Sequence, residues 1–172
     1  MHQVTNGFTD DDLGSATDGF VYVALQELAT RISHRNTGAV LPDIDGKRVM
    51  DRVAADENLH YLFYKDIVQA ALEIDPSGTM CAIERQVRSF AMPGTGIQNF
   101  QRHALAIARA HIYDLDIFHD KVLVPVVLKQ WAVQSLEGLT TEAERARERL
   151  IKRLSQIRRA ADRLLRGAPA LA

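Results

Sequence analysis

Glu57 and His60 have the residue types and spacing best suited to metal binding in this sequence. Three-residue spacing in a helix places a carboxylate and an imidazole on one face, about a turn apart, so that both can reach one ion. In di-iron helical bundles, two helices each supply Glu-x-x-His and two others each supply a single Glu. The pair therefore predicts one of the two Glu-x-x-His motifs of such a site.

Glu27 is the candidate for a single Glu. It lies in a segment, residues 20–36, whose apolar residues cover most of the helical circumference. An unpaired carboxylate would be costly to bury there, and a metal ion is one way to compensate it. No second Glu-x-x-His exists in the chain, so half of the bundle motif is present. The alternative is that Glu57 and His60 occur together by chance on a surface helix.

Other histidines carry weaker signals. Asp116 and His119 repeat the three-residue spacing, but they fall at a predicted helix start, where Asp is commonly a cap and His a surface residue. His103 and His111 are eight residues apart, which rotates them by about 80° on a helix and implies no shared metal. His34 is assigned no role.

The elements that must position these residues are predicted to be helices. Apolar periodicity, caps and stop signals indicate helices over about 20–36, 47–74, 77–90, 97–112, 117–131 and 141–166. Pro125 makes the fifth either a kinked helix or two abutting ones. Thr141 to Glu144 is a capping-box pattern that opens the last helix, and Gly167 ends it. Because no stretch alternates as a strand does, the predicted fold class is all-α.

Composition and charge limit the class of protein and its possible partners. Of 172 residues, 47% are hydrophobic and 25% charged, which is typical of a globular protein. The formal net charge of −1 gives no whole-molecule attraction to nucleic acid. The longest apolar run, residues 122–128, is far shorter than the roughly 20 residues of a membrane span. The chain has a single cysteine, Cys81, which is expected to be a small buried apolar residue. The lack of a second cysteine favours a reducing, cytoplasmic compartment.

Domain organisation follows from glycine and charge content. Residues 1–19 contain three glycines and an acidic run, which predicts a flexible lead-in. Residues 20–166 form the predicted helical domain, and residues 167–172 form a tail. Residues 142–166 hold nine Lys or Arg against four Asp or Glu. A solvated helix face explains this excess, and the functional alternative is a docking surface for an acidic protein.

The stretch 26–37, Gln-Glu-Leu-Ala-Thr-Arg-Ile-Ser-His-Arg-Asn-Thr, closely resembles a signature of the soluble acyl-[acyl carrier protein] desaturases of the plant stearoyl and actinobacterial types. Residues 55–60 follow at the expected distance and look like the second Glu-x-x-His helix of that family. Further similar segments are residues 73–79, Met92–Pro93 and 136–139. The resemblance covers roughly residues 15–165.

The resemblance implies a ferritin-like di-iron helical bundle. By this resemblance, Glu27 is a terminal carboxylate of one iron, His60 is its nitrogen ligand, and Glu57 bridges two irons. Thr30 matches the family's hydroxyl beside the oxygen-binding face, which makes it the candidate catalytic side chain. Asp56 matches a carboxylate that orients a ligand histidine on a neighbouring helix. That histidine is not in this sequence.

The family's upstream half has no counterpart before Met1. The expectation is therefore a partial bundle with three of six ligands for two iron ions. A homodimer or a companion N-terminal half would supply the other three ligands. We expect the complete site to insert a cis double bond into a fatty acyl chain on acyl carrier protein, with O2 and two electrons from a ferredoxin-type donor. The alternative is a non-catalytic helical remnant or interaction module.

Overall fold

The computed structural model describes residues 14–167, with side chains to residue 164. The helices are α1 (Ala16–Val40), α2 (Ile44–Ile74), α3 (Pro76–Ser89), α4 (Phe100–Arg109), α5 (Leu115–Ile117), a π-helical segment (Phe118–Gln130), a 3₁₀ turn (Val133–Ser135) and α6 (Thr141–Gly167). No strand occurs between residues 14 and 167, and the all-α prediction is confirmed. Most of the predicted lead-in and tail lies outside the described residues.

The start of α1 differs from the prediction. The helix begins at Ala16 rather than Phe20, because Ser15 and Asp18 form a reciprocal capping box. Hydrogen bonds join Asp18 N to Ser15 Oγ at 3.3 Å and Ser15 N to Asp18 Oδ2 at 3.1 Å. The glycines around this cap do not prevent helix formation. Nor does Gly38 end the helix, which continues to Val40.

The first turn of α6 is capped one residue earlier than predicted. The hydroxyl of Thr140 accepts a hydrogen bond from Ala143 N at 3.3 Å. The predicted capping box from Thr141 to Glu144 is therefore wrong, because Thr141 is already the first helical residue. The helix continues to Gly167, the last described residue, so its predicted end there stays a prediction.

Helices α1 and α2 form an antiparallel hairpin. Near one end the rings of Phe20 and Tyr64 stack with centroids 6.3 Å apart, and near the other Gly38 lies against Met50. Helix α3 packs on α1, α2 and α6, and the π-helical segment packs on α1 and α6. These elements enclose one core, whose largest fully buried side chains include Leu25, Met80, Ile83, Leu123, Trp131 and Leu150.

The fifth predicted helix is not divided at Pro125. It is a single π-helical segment of 13 residues that contains Pro125 and follows α5 directly. Trp131 N donates to Val126 O at 2.8 Å, a bond across five residues. The Trp131 ring is buried, and its Nε1 donates to Lys65 O of α2 at 3.2 Å. The segment therefore ends on a fixed contact with the helical hairpin.

Two expectations about this region are wrong. His119 is buried rather than on the surface, and its Nδ1 lies 2.6 Å from Asp120 Oδ1. The residue that caps α5 is Asp114, which accepts from Ile117 N at 2.8 Å. Asp116 instead forms an ion pair with Arg158 of α6 at 2.6 Å. Asp116 and His119, which repeat the three-residue spacing, thus each have a partner elsewhere.

Helix α4 stands apart from the core. None of its residues is buried, and Leu105 and Ile107 are exposed. Cys81, in α3, is half-buried against the core rather than fully buried. From residue 14 to residue 167, no helix combines the length and the hydropathy that crossing a membrane requires.

Candidate metal centre

Three side chains predicted as metal ligands meet between α1 and α2. His60 Nδ1 lies 3.4 Å from Glu27 Oε2 and 3.5 Å from Glu57 Oε2. One ligand atom from each residue lies within 4.8 Å of the others. The antiparallel hairpin explains this convergence, because it brings the midpoint of α1 opposite the midpoint of α2. Among the described residues, this is the one group of three or more His, Cys, Asp or Glu side chains arranged to hold a metal ion.

Glu27 has the burial and the charged neighbours expected of a metal ligand. Its Oε2 is buried and has no hydrogen-bond partner within residues 14–164. Burial and the neighbouring Glu57 carboxylate raise the pKa of Glu27 to about 7, although His60 opposes the shift. A buried carboxylate oxygen without a partner is costly, and a bound cation would compensate it. The residues therefore fit a metal ion.

The donor set restricts which metal fits. Two carboxylates and one imidazole offer oxygen and nitrogen ligands without a thiolate. Imidazole suits iron, zinc, copper and nickel, and carboxylates paired with it are typical of iron sites with open positions. Three ligands leave an iron ion with further positions to fill. The geometry thus provides part of a coordination shell rather than a closed structural site.

His34 is a fourth member of the site that sequence analysis missed. Its Nε2 lies 3.6 Å from Glu57 Oε1, whereas His60 approaches Oε2 of the same carboxylate. His34 follows Glu27 by seven residues, which is two helical turns along the same face of α1. That spacing was a usable signal. The imidazole is placed to fix the orientation of the Glu57 carboxylate.

Thr30 lies one turn beyond Glu27 and is half-buried. Its hydroxyl donates to the backbone carbonyls of Gln26 at 3.1 Å and Glu27 at 3.0 Å. The hydroxyl is therefore held along its own helix. Its role beside an oxygen-binding face stays a prediction.

Asp56, on α2, is not among the three converging side chains. Its Oδ1 lies 3.5 Å from Arg52 Nε, and about half of its side chain is exposed. No described residue places a histidine against it. Its role in orienting a histidine on another helix stays a prediction.

The centre is open on one side. The His60 side chain is 58% exposed, although it contacts both carboxylates. Leu59 and Phe63 on the same helix are 64% and 59% exposed, and Leu62 is also exposed. We call Leu59, Leu62 and Phe63 the open apolar face. A polar metal ligand surrounded by exposed apolar side chains indicates a surface that is suited to contact another helix.

Comparison with known proteins gives consistent family matches. The family model described as fatty acid desaturase matches residues 1–170. The acyl-[acyl-carrier-protein] desaturase DesA1 of Mycobacterium tuberculosis is 40% identical over 149 residues, which are 87% of this chain and 44% of that protein. The chloroplastic stearoyl-[acyl-carrier-protein] 9-desaturase 6 of Arabidopsis thaliana is 31% identical over 173 residues, covering 95% of this chain and 44% of that protein.

A solved structure supports the same architecture. The acyl-ACP desaturase DesA2 of Mycobacterium tuberculosis superposes with a TM-score of 0.65 at 18% identity, over 80% of this chain and 55% of that one. This likeness shows the fold, which is a ferritin-like helical bundle. The chain spans less than half the length of the two sequence relatives.

Proposed function

The chain belongs to the fatty acid desaturase family, and on that premise we propose that it forms part of an acyl-[acyl carrier protein] desaturase that binds iron through Glu27, Glu57 and His60. The observation that carries the proposal is the convergence of these three side chains. The resemblance of residues 26–37 and 55–60 to the family's signatures supports the same assignment.

Each ligand has a separate task in this proposal. In a complete site Glu27, Glu57 and His60 would hold the iron, with Glu27 and His60 as terminal ligands and Glu57 as a shared ligand. Iron supplies, together with O2, an oxidant strong enough to attack an unactivated methylene. Thr30 lies near the face where oxygen would bind, and Asp56 would orient a histidine of another helix.

Metal binding must displace a proton from Glu27. Since the pKa of Glu27 is raised to about 7 by burial and by Glu57, much of the metal-free protein carries a protonated carboxyl at neutral pH. A carboxylate ligand is deprotonated, so Glu27 would give up that proton when it binds a metal ion. His34 Nε2 lies 3.6 Å from Glu57 Oε1, where it would help to hold that side chain in place during the exchange.

The reaction proposed is the insertion of a cis double bond into a fatty acyl chain carried as a thioester on acyl carrier protein. Two hydrogens leave adjacent carbons, and O2 takes up these, two electrons and two further protons to form two water molecules. A ferredoxin-type protein is the proposed electron donor. We propose a cytoplasmic location, which the single cysteine supports because reducing compartments disfavour disulfide frameworks.

A basic stripe on α6 is the proposed docking surface for acyl carrier protein. It consists of Arg145, Lys152, Arg159 and Arg163, which are exposed and form no ion pair with any residue between 14 and 164. Their spacing places them on one face, opposite the buried side chains of α6. Acyl carrier protein is acidic, so long-range attraction would steer it to this stripe.

The test of iron binding is a comparison of variants. We would measure iron per chain in anaerobically reconstituted protein and in Glu57→Ala and His60→Ala. Matched controls are Glu73→Ala, an exposed acid of α2, and His103→Ala, an exposed imidazole of α4. The proposal expects loss of specific iron in the first two and retention in the controls. Equal iron content in all five proteins, or none in the wild type, would contradict it.

A second candidate function is a non-catalytic interaction module. The open apolar face favours it, because a remnant that binds other helices would also expose such a surface. The two functions differ in their dependence on Glu27, Glu57 and His60. A module would keep its partner after all three are replaced, whereas the iron enzyme would lose its metal.

A further inference from the structure

Helix α2 is joined to the end of the π-helical segment by two hydrogen bonds. The hydroxyl of Tyr61, which follows His60 in the chain, donates to Gln130 Oε1 at 2.5 Å. The Trp131 ring nitrogen donates to Lys65 O at 3.2 Å. We propose that Tyr61 is a positioning residue, which these contacts hold so that the rotation of α2 places its metal ligands correctly. This inference rests on the proposed iron-binding function and adds a residue outside the ligand set.

Tyr61 lies in the same row of α2 as one of the ligands. Glu57, Tyr61 and Lys65 are spaced by four residues, so they occupy one face of the helix on successive turns. The Tyr61 side chain is 4% exposed and packs in the core. A contact that holds this row also holds the backbone that carries Glu57, one turn away, and His60, one residue away.

The winding of the π-helical segment determines where its last side chains reach. Trp131 N donates to Val126 O, so this turn contains one residue more than an α-helical turn. With this winding, the consecutive residues Gln130 and Trp131 contact two successive turns of α2, at Tyr61 and Lys65. Helices of this kind are rare, and they often occur at functional sites. The positioning of metal ligands would give the segment such a role.

The π-helical segment also contacts the other helix that supplies a ligand. It packs on α1, which carries Glu27, and on α6. The Trp131 ring at its end is 1% exposed, and Leu123 and Val126 are fully buried. Because this buried segment contacts both α1 and α2, it fixes the position of one ligand-bearing helix relative to the other.

Metal binding is sensitive to small changes in that relationship. Distances between a metal and its ligands are fixed to within about 0.2 Å. Side-chain atoms lie about 6 Å from the axis of a helix, so a rotation of about 10° moves them by roughly 1 Å. A rotation of α2 that leaves the core intact is therefore enough to move Glu57 and His60 out of reach of a metal shared with Glu27.

The experiment removes the Tyr61 hydrogen bond from either side. Tyr61→Phe keeps the ring and removes the donor, whereas Gln130→Leu removes the acceptor. Gln130 is exposed, so its replacement tests the contact without a change in the core. We would titrate the full chain anaerobically with Co(II), whose visible absorption reports the geometry of its ligands. Both variants should bind Co(II) about tenfold more weakly than wild type.

The spectrum at saturating Co(II) separates positioning from stability. It should differ from that of wild type in both variants, whereas a substitution that only destabilised the fold would leave it unchanged. Gln130→Glu keeps an acceptor and should restore most of the affinity. Tyr22→Phe is the matched control, because the Tyr22 hydroxyl donates to Ala91 O at 3.2 Å and neither residue belongs to α2. This control should bind Co(II) as wild type does.

The outcomes distinguish this inference from the function on which it rests. Unchanged affinity and an unchanged spectrum in Tyr61→Phe or in Gln130→Leu would overturn the positioning role and leave metal binding intact. An equal loss of affinity in Tyr22→Phe would also overturn it, because the effect would then belong to stability. Absence of specific Co(II) and Fe(II) binding in the wild type would overturn the proposed function and, with it, this inference.

Discussion

The Asp18 carboxylate near the start of α1 accepts two hydrogen bonds from the Arg85 guanidinium of α3, at 2.9 and 2.8 Å. Asp18 is almost fully buried, and Gln86 donates a further hydrogen bond at 3.2 Å. Burial alone would raise the pKa of Asp18, but the hydrogen bonds from Arg85, Ser15 and Gln86 outweigh it and hold this pKa well below its usual range. The pair fixes the first turn of α1, nine residues before Glu27.

Asp18→Asn should lower the free energy of unfolding by about 2 kcal/mol at pH 7, because charged hydrogen bonds to a buried carboxylate are lost. The folded-state pKa is depressed, so this stability is present above about pH 4 and is lost as the pH falls further. Urea denaturation from pH 7 to pH 2 should show the wild-type and variant curves converging in acid. Asp45→Asn, at an exposed ion pair with Arg48, should have little effect. A constant difference at all pH values would contradict the assignment.

Glu27 should give the metal-free protein the opposite pH dependence. Its pKa is raised to about 7, so the folded state holds a proton that the unfolded state releases between about pH 4.5 and 7. Stability should therefore fall as the pH rises through this window. Glu27→Gln should remove that decline and be more stable than wild type at pH 8, by on the order of 2 kcal/mol. Thermal denaturation of both proteins at several pH values, with a chelator present, would measure this difference in stability. Parallel pH profiles of the two proteins would contradict the prediction.

His34→Ala should weaken iron binding about tenfold while leaving the three ligands in place, because outer partners of a ligand carboxylate typically contribute this much. The imidazole approaches Glu57 Oε1, whereas His60 approaches Oε2. Anaerobic Fe(II) titration would measure the change. His34→Gln, which keeps a donor, should recover part of the affinity. An affinity unchanged in both variants would remove His34 from the site.

Reversal of charge on the α6 basic stripe should weaken association with acyl carrier protein. Lys152→Glu together with Arg159→Glu should raise the dissociation constant at least tenfold at low salt, with a smaller difference at high salt. Lys129→Glu, an exposed cation of the π-helical segment, is the matched control. Measuring the dissociation constant for acyl carrier protein at two ionic strengths would test this prediction. Equal weakening by the control would assign the effect to net charge rather than to the stripe.

The sequence predicts the helices well, and the convergence of Glu27, Glu57 and His60 follows from the same periodicity. Glu57 and His60 share a face wherever α2 is helical, and the short turn before α2 brings Glu27 opposite them. The early start of α1 is not predicted, because the neighbouring glycines obscure the Ser15–Asp18 cap.

Other features depend on packing that a single sequence does not reveal. The burial of His119 follows from contacts of the π-helical segment with α6. The π winding itself has no clear sequence signal beyond Pro125. The approach of His34 to Glu57 depends on the rotation of α1 against α2, which the spacing from Glu27 alone does not fix.

Cys81 makes the chain convenient for site-specific labelling. It is the one cysteine in the sequence, and it is half-buried in α3. Burial, together with nearby acidic groups, raises the pKa of its thiol, and the thiolate is the reactive form. A second cysteine introduced on an exposed surface would react with maleimides much faster than Cys81. Fluorophores or spin labels can therefore be attached at chosen positions without first replacing the native residue.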